Sequence, residues 1–220
     1  SDQGGKVKVT NFVPAGGSKR GWTTWTTTAV DKRVVACVPI VIDLLNLVPS
    51  FEHHYEMYGD WAPAIDNYTK MNIMDWLNTP EFKAMLDVVD PYSYRARYTM
   101  PKMIMCGTQD QFFCPDSSQF YLSDLPGPTY LRYVPNAGHG LDASAKDTVT
   151  AFFASFVMNK PMPKYSWSFP DANTIRVETP DTPTAVKLWQ ATNPDARNFR
   201  LDVVGKLYTE SPLTDQGNGV

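Results

Sequence analysis

The stretch VPAGGSKRGWTTW (residues 13–25) decides the fold predicted for this chain. An apolar run ends in two glycines, Ser18 stands on the corner, and tryptophans recur at helical spacing after it. This order predicts a strand, a sharp turn and a helix. Small neighbours at Gly16, Gly17 and Gly21 relieve crowding in so tight a turn, which lifts the Ser18 hydroxyl out of the sheet. The alternatives for Ser18 are a nucleophile and a simple helix N-cap.

The segments on either side of this corner predict a parallel α/β sheet. Residues 6–15 are predicted as the first strand, 19–30 as a helix, and the apolar run RVVACVPIVID (33–43) as a strand covered on both faces. Strand, helix and strand in succession form a βαβ unit. Further strands are predicted in MPKMIMCGTQD (100–110) and at 130–134, and a last helix at about 146–158.

Two other regions differ in composition from the sheet. Residues 44–98 are rich in aromatic side chains and predict a helical lid insertion within a first domain at 1–162. Beyond it, short alternating runs separated by turn residues predict a β-sandwich module at 163–220. Three or four strands are too few for a complete sandwich, so we expect this module to be incomplete.

Composition and charge exclude two classes of function. The 220 residues are 43% hydrophobic and 20% charged, which is typical of a globular chain. A net charge of -3, with Lys and Arg scattered, gives no basic patch for nucleic acid. The longest apolar run, 34–48, is interrupted by Asp43 and Asn46, so we predict no transmembrane segment and no signal peptide in this sequence.

The cysteines and a glycosylation triplet bear on the cellular compartment. Cys37, Cys106 and Cys114 fit neither a dense disulfide framework nor a zinc spacing. Cys106 and Cys114 are close enough to bridge a loop, and the alternative is buried free thiols. Asn67, in the triplet Asn-Tyr-Thr, is a candidate N-glycosylation site.

Three chemically complementary side chains follow predicted strands. A catalytic serine needs an imidazole to take its proton and a carboxylate to orient that imidazole. Ser18 follows the first strand, Asp110 follows the strand at 100–110, and His139 follows the strand at 130–134. This order, at the carboxyl ends of parallel strands, is that of α/β-hydrolases. We predict a nucleophile, an acid and a general base; taken singly, these residues are also explained as an N-cap, a turn residue and a loop histidine.

The polar residues around this set have alternative roles. The backbone N–H of Lys19, at a helix N-terminus, is predicted to supply half of an oxyanion hole. Arg20 either contacts the oxyanion or an anionic substrate group, or forms an ion pair with Asp43, and we favour the ion pair. Asp116 is a rival acid or, in the interpretation we favour, the cap of the following helix.

The two adjacent histidines do not predict a metal site. His53 and His54 diverge on either a helix or a strand, and no third ligand stands at metal spacing. We assign both to the lid. Serine acyl transfer needs no cofactor, so none is predicted.

Two long segments resemble a known family. AGGSKRGWTTW, continued by AVDKRVVACVPIVIDLLN, and DPYSYRARYTMPKMIMCGTQDQFFCPDSSQFYLSDLPGPTYLRYVPNAGHGL are similar to the PhoPQ-activated pathogenicity-related proteins, which include the autocrine proliferation repressor type. The resemblance covers residues 6–160 in detail and the β-rich tail more loosely. It implies an α/β-hydrolase fold followed by an immunoglobulin-like or fibronectin-like β domain, and secretion in eukaryotic members. It places Ser18, Asp110 and His139 at the nucleophile, acid and histidine positions.

The chain departs from the usual hydrolase pattern in two ways. Arg20 stands in the elbow where most hydrolases have glycine, as in some relatives of the esterase and peptidase branches. The second oxyanion donor normally comes from a loop after an early strand, and no such strand is predicted here. We therefore expect that the chain resembles the C-terminal part of a longer protein, that an N-terminal part is its partner, and that this piece alone is inactive.

Together these features predict a secreted or extracellular serine hydrolase, envelope-associated if bacterial, acting on an ester or peptide substrate. Aromatic lid residues suit a bulky substrate. The first alternative is a secreted signalling protein that binds a cell-surface receptor and does not depend on catalysis. The second is a structural surface protein that uses the β module for adhesion.

Overall fold

A four-stranded parallel sheet lies at the centre of the first part of the structure, a computed structural model that describes residues 8–217 and Gly219. Its spatial order is the sequence order: β1 (Ala15–Gly17), β2 (Val38–Ile40), β3 (Lys102–Gly107) and β4 (Thr129–Val134). All three strand pairings are parallel. The carboxyl ends of the strands therefore meet at one edge of the sheet, where loop residues from distant parts of the sequence are brought together.

The third strand is buried as its sequence predicts, whereas β4 is mostly half-buried. All six residues of β3 are buried, as expected of a strand covered on both faces. Trp25 and Tyr98 are fully buried, and their rings pack with centroids 4.8 Å apart. Lys102 is a charged residue in this otherwise apolar strand, and it is fully buried. Its ammonium group donates to the carbonyl oxygens of Tyr98, Met100 and Pro126 at 2.6–3.0 Å. Burial lowers the pKa of Lys102 to about 8.

Six helices lie in the described residues, and the first packs against β1 and β2. They are α1 (Lys19–Val30), α2 (Leu47–Tyr58), α3 (Asp66–Thr69), α4 (Pro80–Val89), α5 (Ser144–Val157) and α6 (Leu201–Val204). The predicted helix at 19–30 coincides with α1, and the helix predicted at about 146–158 corresponds to α5. Three 3-10 segments lie among α2, α3 and α4 within residues 44–98, at Pro63–Ile65, Ile73–Trp76 and Pro91–Arg97.

The first two strands are shorter than predicted. β1 begins only at Ala15, with an isolated parallel bridge between Phe12 and Val34 before it; positions 6 and 7 of the predicted strand lie outside the described residues. β2 ends at Ile40 because Val41 has a φ of 44°, a left-handed conformation that cannot continue a strand. An apolar run alone does not reveal this turn.

Asp90 connects the two ends of residues 44–98, the segment predicted as a lid, which stays a prediction. Its carboxylate is 3% exposed and accepts hydrogen bonds from the backbone N–H groups of Leu47 at 3.0 Å and Tyr92 at 2.8 Å. The carboxylate of Asp90 thus accepts from one free N–H group at the start of α2 and from another in the first turn of the 3-10 segment after α4. The start and the end of this segment are fixed to each other.

The chain divides into two compact units. The first holds the described residues up to Val149 together with Asn193–Lys206; the second holds Thr150–Thr192 and the described residues from Leu207 onward. The second unit contains two antiparallel strand pairs, and all their residues are exposed. These strands are β5 (Ser166–Asp171), β6 (Thr174–Glu178), β7 (Lys187–Gln190) and β8 (Thr209–Pro212). The immunoglobulin-like domain and the bounds 1–162 and 163–220 stay predictions.

Candidate active site

Ser18 stands on a strained corner between β1 and α1. Its φ is 56° and its ψ is -124°, a region that residues with a side chain rarely adopt. The corner is held from both sides: the Ser18 N–H donates to the Ile40 carbonyl at 2.9 Å, and the Ser18 carbonyl accepts from the Trp22 N–H at 3.0 Å. This geometry projects the Ser18 hydroxyl above the carboxyl edge of the sheet, as in a nucleophile elbow.

Two of the three nearby glycines are required by close packing. A Cβ at Gly16 would lie 2.5 Å from the carbonyl oxygen of Arg20, and one at Gly21 would lie 2.5 Å from Cγ2 of Ile42. Neither contact is compatible with a side chain. The crowding predicted at Gly17 is absent, because a Cβ there would meet its nearest atom at 3.9 Å.

The structure brings Ser18, His139 and Asp110 together. The Ser18 Oγ lies 2.9 Å from Nε2 of His139, and Nδ1 of His139 lies 2.9 Å and 3.2 Å from the two carboxylate oxygens of Asp110. Because a carboxylate only accepts, Nδ1 carries the proton and Nε2 is free to accept from the serine hydroxyl. This is the arrangement in which an imidazole can act as a general base toward a serine.

The acid and the imidazole are held by their neighbours. Asp110 is 1% exposed, and its Oδ1 also accepts from the backbone N–H of Phe112 at 2.7 Å. The backbone N–H of His139 donates to Oε1 of Gln111 at 3.2 Å. The ring of Phe112 lies 4.3 Å from the imidazole and covers one of its sides. Both groups are therefore fixed before any substrate arrives.

Asp116 takes neither of its predicted roles. Its Oδ1 lies 2.7 Å from Nε2 of His53, and its Oδ2 accepts from Arg197 at 3.1 Å. Its side chain makes no capping hydrogen bond to the 3-10 segment Ser117–Phe120 that follows it. Because this carboxylate is occupied by His53 and Arg197, it does not compete with Asp110 for His139.

The two adjacent histidines point to different partners. His53 pairs with Asp116, whereas His54 is 2% exposed and its Nε2 accepts from the backbone N–H of Ala62 at 3.1 Å. Burial lowers the pKa of His54 to about 4. No group of three His, Cys, Asp or Glu side chains in the described part of the chain is placed to hold a metal ion.

The predicted ion pair between Arg20 and Asp43 does not form. Arg20 is exposed, whereas Asp43 is 1% exposed and its Oδ1 accepts a short hydrogen bond from the Tyr121 hydroxyl. Its Oδ2 has no hydrogen-bond partner among the described residues. Burial raises the pKa of Asp43 to about 7, although the Tyr121 hydrogen bond opposes this shift. The Arg20 guanidinium is thus left at the surface, in the first turn of α1.

Lys19 is the first residue of α1, so its backbone N–H has no partner within the helix. It directly follows Ser18, at the positive end of the helix dipole. Lys19 also lines an open groove of about 410 Å³. The other residues that line this groove are Trp22, Thr23, Thr26, Val88 and Val89.

The cysteines are all buried free thiols, so the bridge between Cys106 and Cys114 does not form. Burial raises the pKa of both thiols, to about 12 for Cys114, which keeps them protonated. Cys114 faces the hydroxyl of Tyr58 and Cys106 faces Asp43, so the two thiols do not face each other. Asn67 is exposed on α3, and its glycosylation stays a prediction.

Sequence analysis missed the residues that surround Asp110 from distant parts of the chain. The hydroxyl of Tyr58 donates to the Asp110 carbonyl at 3.2 Å, and the Arg200 guanidinium lies over the Tyr58 ring at 5.0 Å. Gln109 is fully buried and donates to the carbonyls of Phe199 and Gly205. No periodicity or motif marks these residues, because most of the contacts are to backbone atoms.

The sequence matches the PhoPQ-activated pathogenicity-related protein family over residues 2–200. Autocrine proliferation repressor protein A of Dictyostelium discoideum is 39% identical over 206 residues, which cover 87% of this chain and 42% of that protein. The chain therefore spans less than half the length of this relative. Within the described residues, no helix is both long and apolar enough to cross a membrane.

Solved structures identify the fold as that of the α/β-hydrolases. An acetyl xylan esterase from Paenibacillus sp. R4 superposes with a TM-score of 0.50 at 19% identity, over 64% of this chain and 44% of that chain. An acylaminoacyl peptidase from Pyrococcus horikoshii also gives 0.50, at 15% identity, over 71% of this chain and 25% of that chain. At these identities the likeness establishes architecture and leaves substrate open.

Proposed function

The chain belongs to the PhoPQ-activated pathogenicity-related protein family, and from that premise we propose that it is a serine hydrolase that cleaves an ester or peptide bond through an acyl-enzyme. The observation that carries this proposal is the pair of hydrogen bonds that runs from Ser18 through His139 to Asp110. The strained backbone at Ser18 supports it, since such strain is concentrated at functional residues.

In the first half-reaction, the Ser18 Oγ attacks the carbonyl carbon of the substrate while its proton passes to Nε2 of His139, 2.9 Å away. Asp110 holds the ring and stabilises the imidazolium that forms. The negative charge on the substrate oxygen develops near the backbone N–H of Lys19. His139 then protonates the leaving alcohol or amine, and the acyl group remains bonded to Ser18.

In the second half-reaction, one water molecule replaces the leaving group. His139 takes a proton from this water, whose oxygen attacks the acyl carbon and forms a second oxyanion intermediate. When the bond to Ser18 breaks, the imidazolium returns its proton to Oγ. The products are a carboxylic acid and the alcohol or amine, and the three side chains are restored.

Surface features support further parts of the proposal. The groove that Lys19 lines also contains Trp22 and Val88, which suits an acyl or leaving group with an apolar part. The exposed position of Asn67 is compatible with glycosylation, and hence with secretion.

A fluorophosphonate probe, which forms a covalent bond with an activated serine, tests the proposal on the intact protein. We expect labelling at Ser18 in the wild type, none in Ser18→Ala, and labelling at least about 10³-fold slower in His139→Ala. Ser93→Ala is the control, because the exposed Ser93 hydroxyl donates only to the Leu86 carbonyl. A wild type that does not react would contradict the hydrolase function.

The similarity to autocrine proliferation repressor protein A favours a second candidate function. In this alternative, the chain is part of a secreted protein that regulates proliferation through a cell-surface receptor and does not depend on turnover. Ser18→Ala separates the two functions in a proliferation assay with the intact protein. Full repression by this variant supports the signalling function, whereas loss of repression together with loss of labelling supports the enzyme.

A further inference from the structure

A segment from late in the sequence folds into the first unit beside the acid loop, which we define as residues 109–116. This segment, Asn193–Lys206, contains α6. The side-chain amide of Gln109 donates to the carbonyl oxygens of Phe199 at 3.0 Å and Gly205 at 2.6 Å. In return, the carbonyl of Gln109 accepts from the backbone N–H of Leu201 at 3.1 Å. One residue thus makes three hydrogen bonds to this segment.

Gln109 also contacts the turn that carries the histidine. Its backbone N–H donates to the Ala137 carbonyl at 3.0 Å, two residues before His139. At Gly138, a Cβ would lie 3.5 Å from Cδ2 of Leu201, so this side chain packs against the same turn. Gln109 therefore joins the end of β3, the turn of His139 and the late segment, and it is directly bonded to Asp110.

The chemistry of this junction requires a neutral amide. Gln109 is fully buried, and its Nε2 faces two carbonyl oxygens, which can only accept. A carboxylate at the same place would face these oxygens without a proton to donate and would have to be buried unpaired.

The late segment reaches the acid loop at two other points. The Arg200 guanidinium lies over Tyr58, whose hydroxyl donates to the carbonyl of Asp110. Arg197 donates to Asp116 at 3.1 Å. The segment therefore braces the loop at its beginning and at its end, and Gln109 is the buried part of this brace.

We propose that Gln109 is a positioning residue, which holds Asp110 and His139 in hydrogen-bonding alignment by anchoring residues 193–206 to the acid loop. The expected effect on the rate of hydrolysis rests on the proposed hydrolase function. The expected effect on the alignment of Asp110 and His139 does not. A displacement of about 1 Å at a catalytic group lowers the rate by about 100-fold, so a small shift of Asp110 has a large effect.

Gln109→Glu in the intact protein tests this role, with Gln119→Glu as the matched control. Gln119 is exposed, and its amide donates to the Asp116 carbonyl within its own turn. The first readout is the low-field NMR signal of the proton between His139 and Asp110. The second is hydrolysis of p-nitrophenyl acetate as a function of pH.

In folded Gln109→Glu, we expect the low-field signal of the proton between His139 and Asp110 to weaken or move. We also expect kcat to fall about 100-fold with little change in KM. Gln119→Glu should match the wild type in both readouts. An unchanged low-field signal and an unchanged pH profile of hydrolysis in folded Gln109→Glu would overturn the proposal.

Two further outcomes keep this inference separate from the proposed function. If the wild type neither hydrolyses the ester nor reacts with fluorophosphonate but the NMR signal changes in Gln109→Glu, the positioning role stands and the hydrolase function fails. If Gln109→Glu does not fold, Leu201→Pro tests the same role with the same two readouts: a changed NMR signal supports the proposal, and an unchanged signal overturns it. Proline is favoured at the first position of a helix, Arg200 before it is extended with a ψ of 136°, and the change removes the N–H that bonds to Gln109.

Discussion

The nucleophile corner and the acid loop lie at the same edge of the sheet but are stabilised in opposite ways. The corner is held mainly by close packing: Gly16 makes room for the carbonyl of Arg20 four residues on, and Gly21 makes room for the side chain of Ile42. The acid loop depends on partners that are distant in sequence, since Tyr58 lies 52 positions from Asp110 and Phe199 lies 90 positions from Gln109. Close packing around two glycines thus holds the nucleophile, and hydrogen bonds from distant residues hold the acid.

The largest effect is expected from crowding the corner. Gly16→Ala places a methyl group 2.5 Å from the backbone carbonyl of Arg20, which cannot move without unwinding the start of α1. We expect the free energy of unfolding to fall by about 3 kcal/mol, as for severe overpacking. Urea titration followed by tryptophan fluorescence measures this change.

The neighbouring glycine is the control for this prediction. Gly17→Ala meets its nearest atom at 3.9 Å, an ordinary contact, so we expect a loss below about 1 kcal/mol. Equal losses at Gly16 and Gly17 would show that the corner is not held by local sterics.

The next effect concerns pH and the lid side of the acid loop, where His54 is buried. Its pKa is about 4 in the folded protein, against an ordinary value of 6.5. Between these values the unfolded chain binds more protons, so this group lowers stability as the pH falls from about 6.5 to about 4. The glutamine in His54→Gln does not titrate in this range. We therefore expect the free energy of unfolding of the wild type, minus that of the variant, to fall by about 2 kcal/mol from pH 7 to pH 4.5.

This difference in the free energy of unfolding isolates His54 from other buried groups with shifted pKa values, such as Asp43 and Asp90. The raised pKa of Asp43 makes the folded state less stable as the pH rises from about 4 through 7, which is the opposite direction. Asp43 is present in both proteins, so its contribution cancels in the difference. A difference that stays constant between pH 7 and pH 4.5, in chemical denaturation at each pH, would contradict the assignment.

The same contrast explains how much could be predicted from the sequence. The corner, α1 and β3 are marked by small residues, helical spacing and a continuous apolar run, and each of these signals is local. The order of Ser18, Asp110 and His139 could be assigned because parallel strands end at one edge, and the structure brings these side chains together.

The brace around the acid could not be predicted in this way. Residues 193–200, NPDARNFR, have the composition of a polar turn, and their position is set by backbone carbonyls that have no sequence signature. The ion pair expected between Arg20 and Asp43 fails for a related reason. Sequence proximity of two strand ends does not reveal that Asp43 is buried against Tyr121.

A smaller effect is expected where α2 meets the acid loop. Tyr58→Phe removes the hydroxyl that donates to the carbonyl of Asp110 and leaves the ring in place. We expect a loss of about 1 kcal/mol in thermal or urea unfolding, the usual contribution of one such hydrogen bond. Tyr55→Phe, on the same helix with a side chain that is 47% exposed, should change stability by less than half of this. A larger loss of stability in Tyr55→Phe than in Tyr58→Phe would show that the Tyr58 hydroxyl does not support the acid loop.

The smallest effect is expected at the rim of the brace, where Arg197 meets Asp116 with side chains that are 69% and 37% exposed. Pairs of this kind contribute about 0.5 kcal/mol because water screens them and two long side chains lose freedom. Arg197→Ala should therefore lower stability by about this amount in low salt and by nothing measurable in 1 M NaCl, where screening is nearly complete. A loss above about 2 kcal/mol that persists in high salt would mean that the exposed end of the segment, and not the buried amide of Gln109, anchors the loop that holds Asp110.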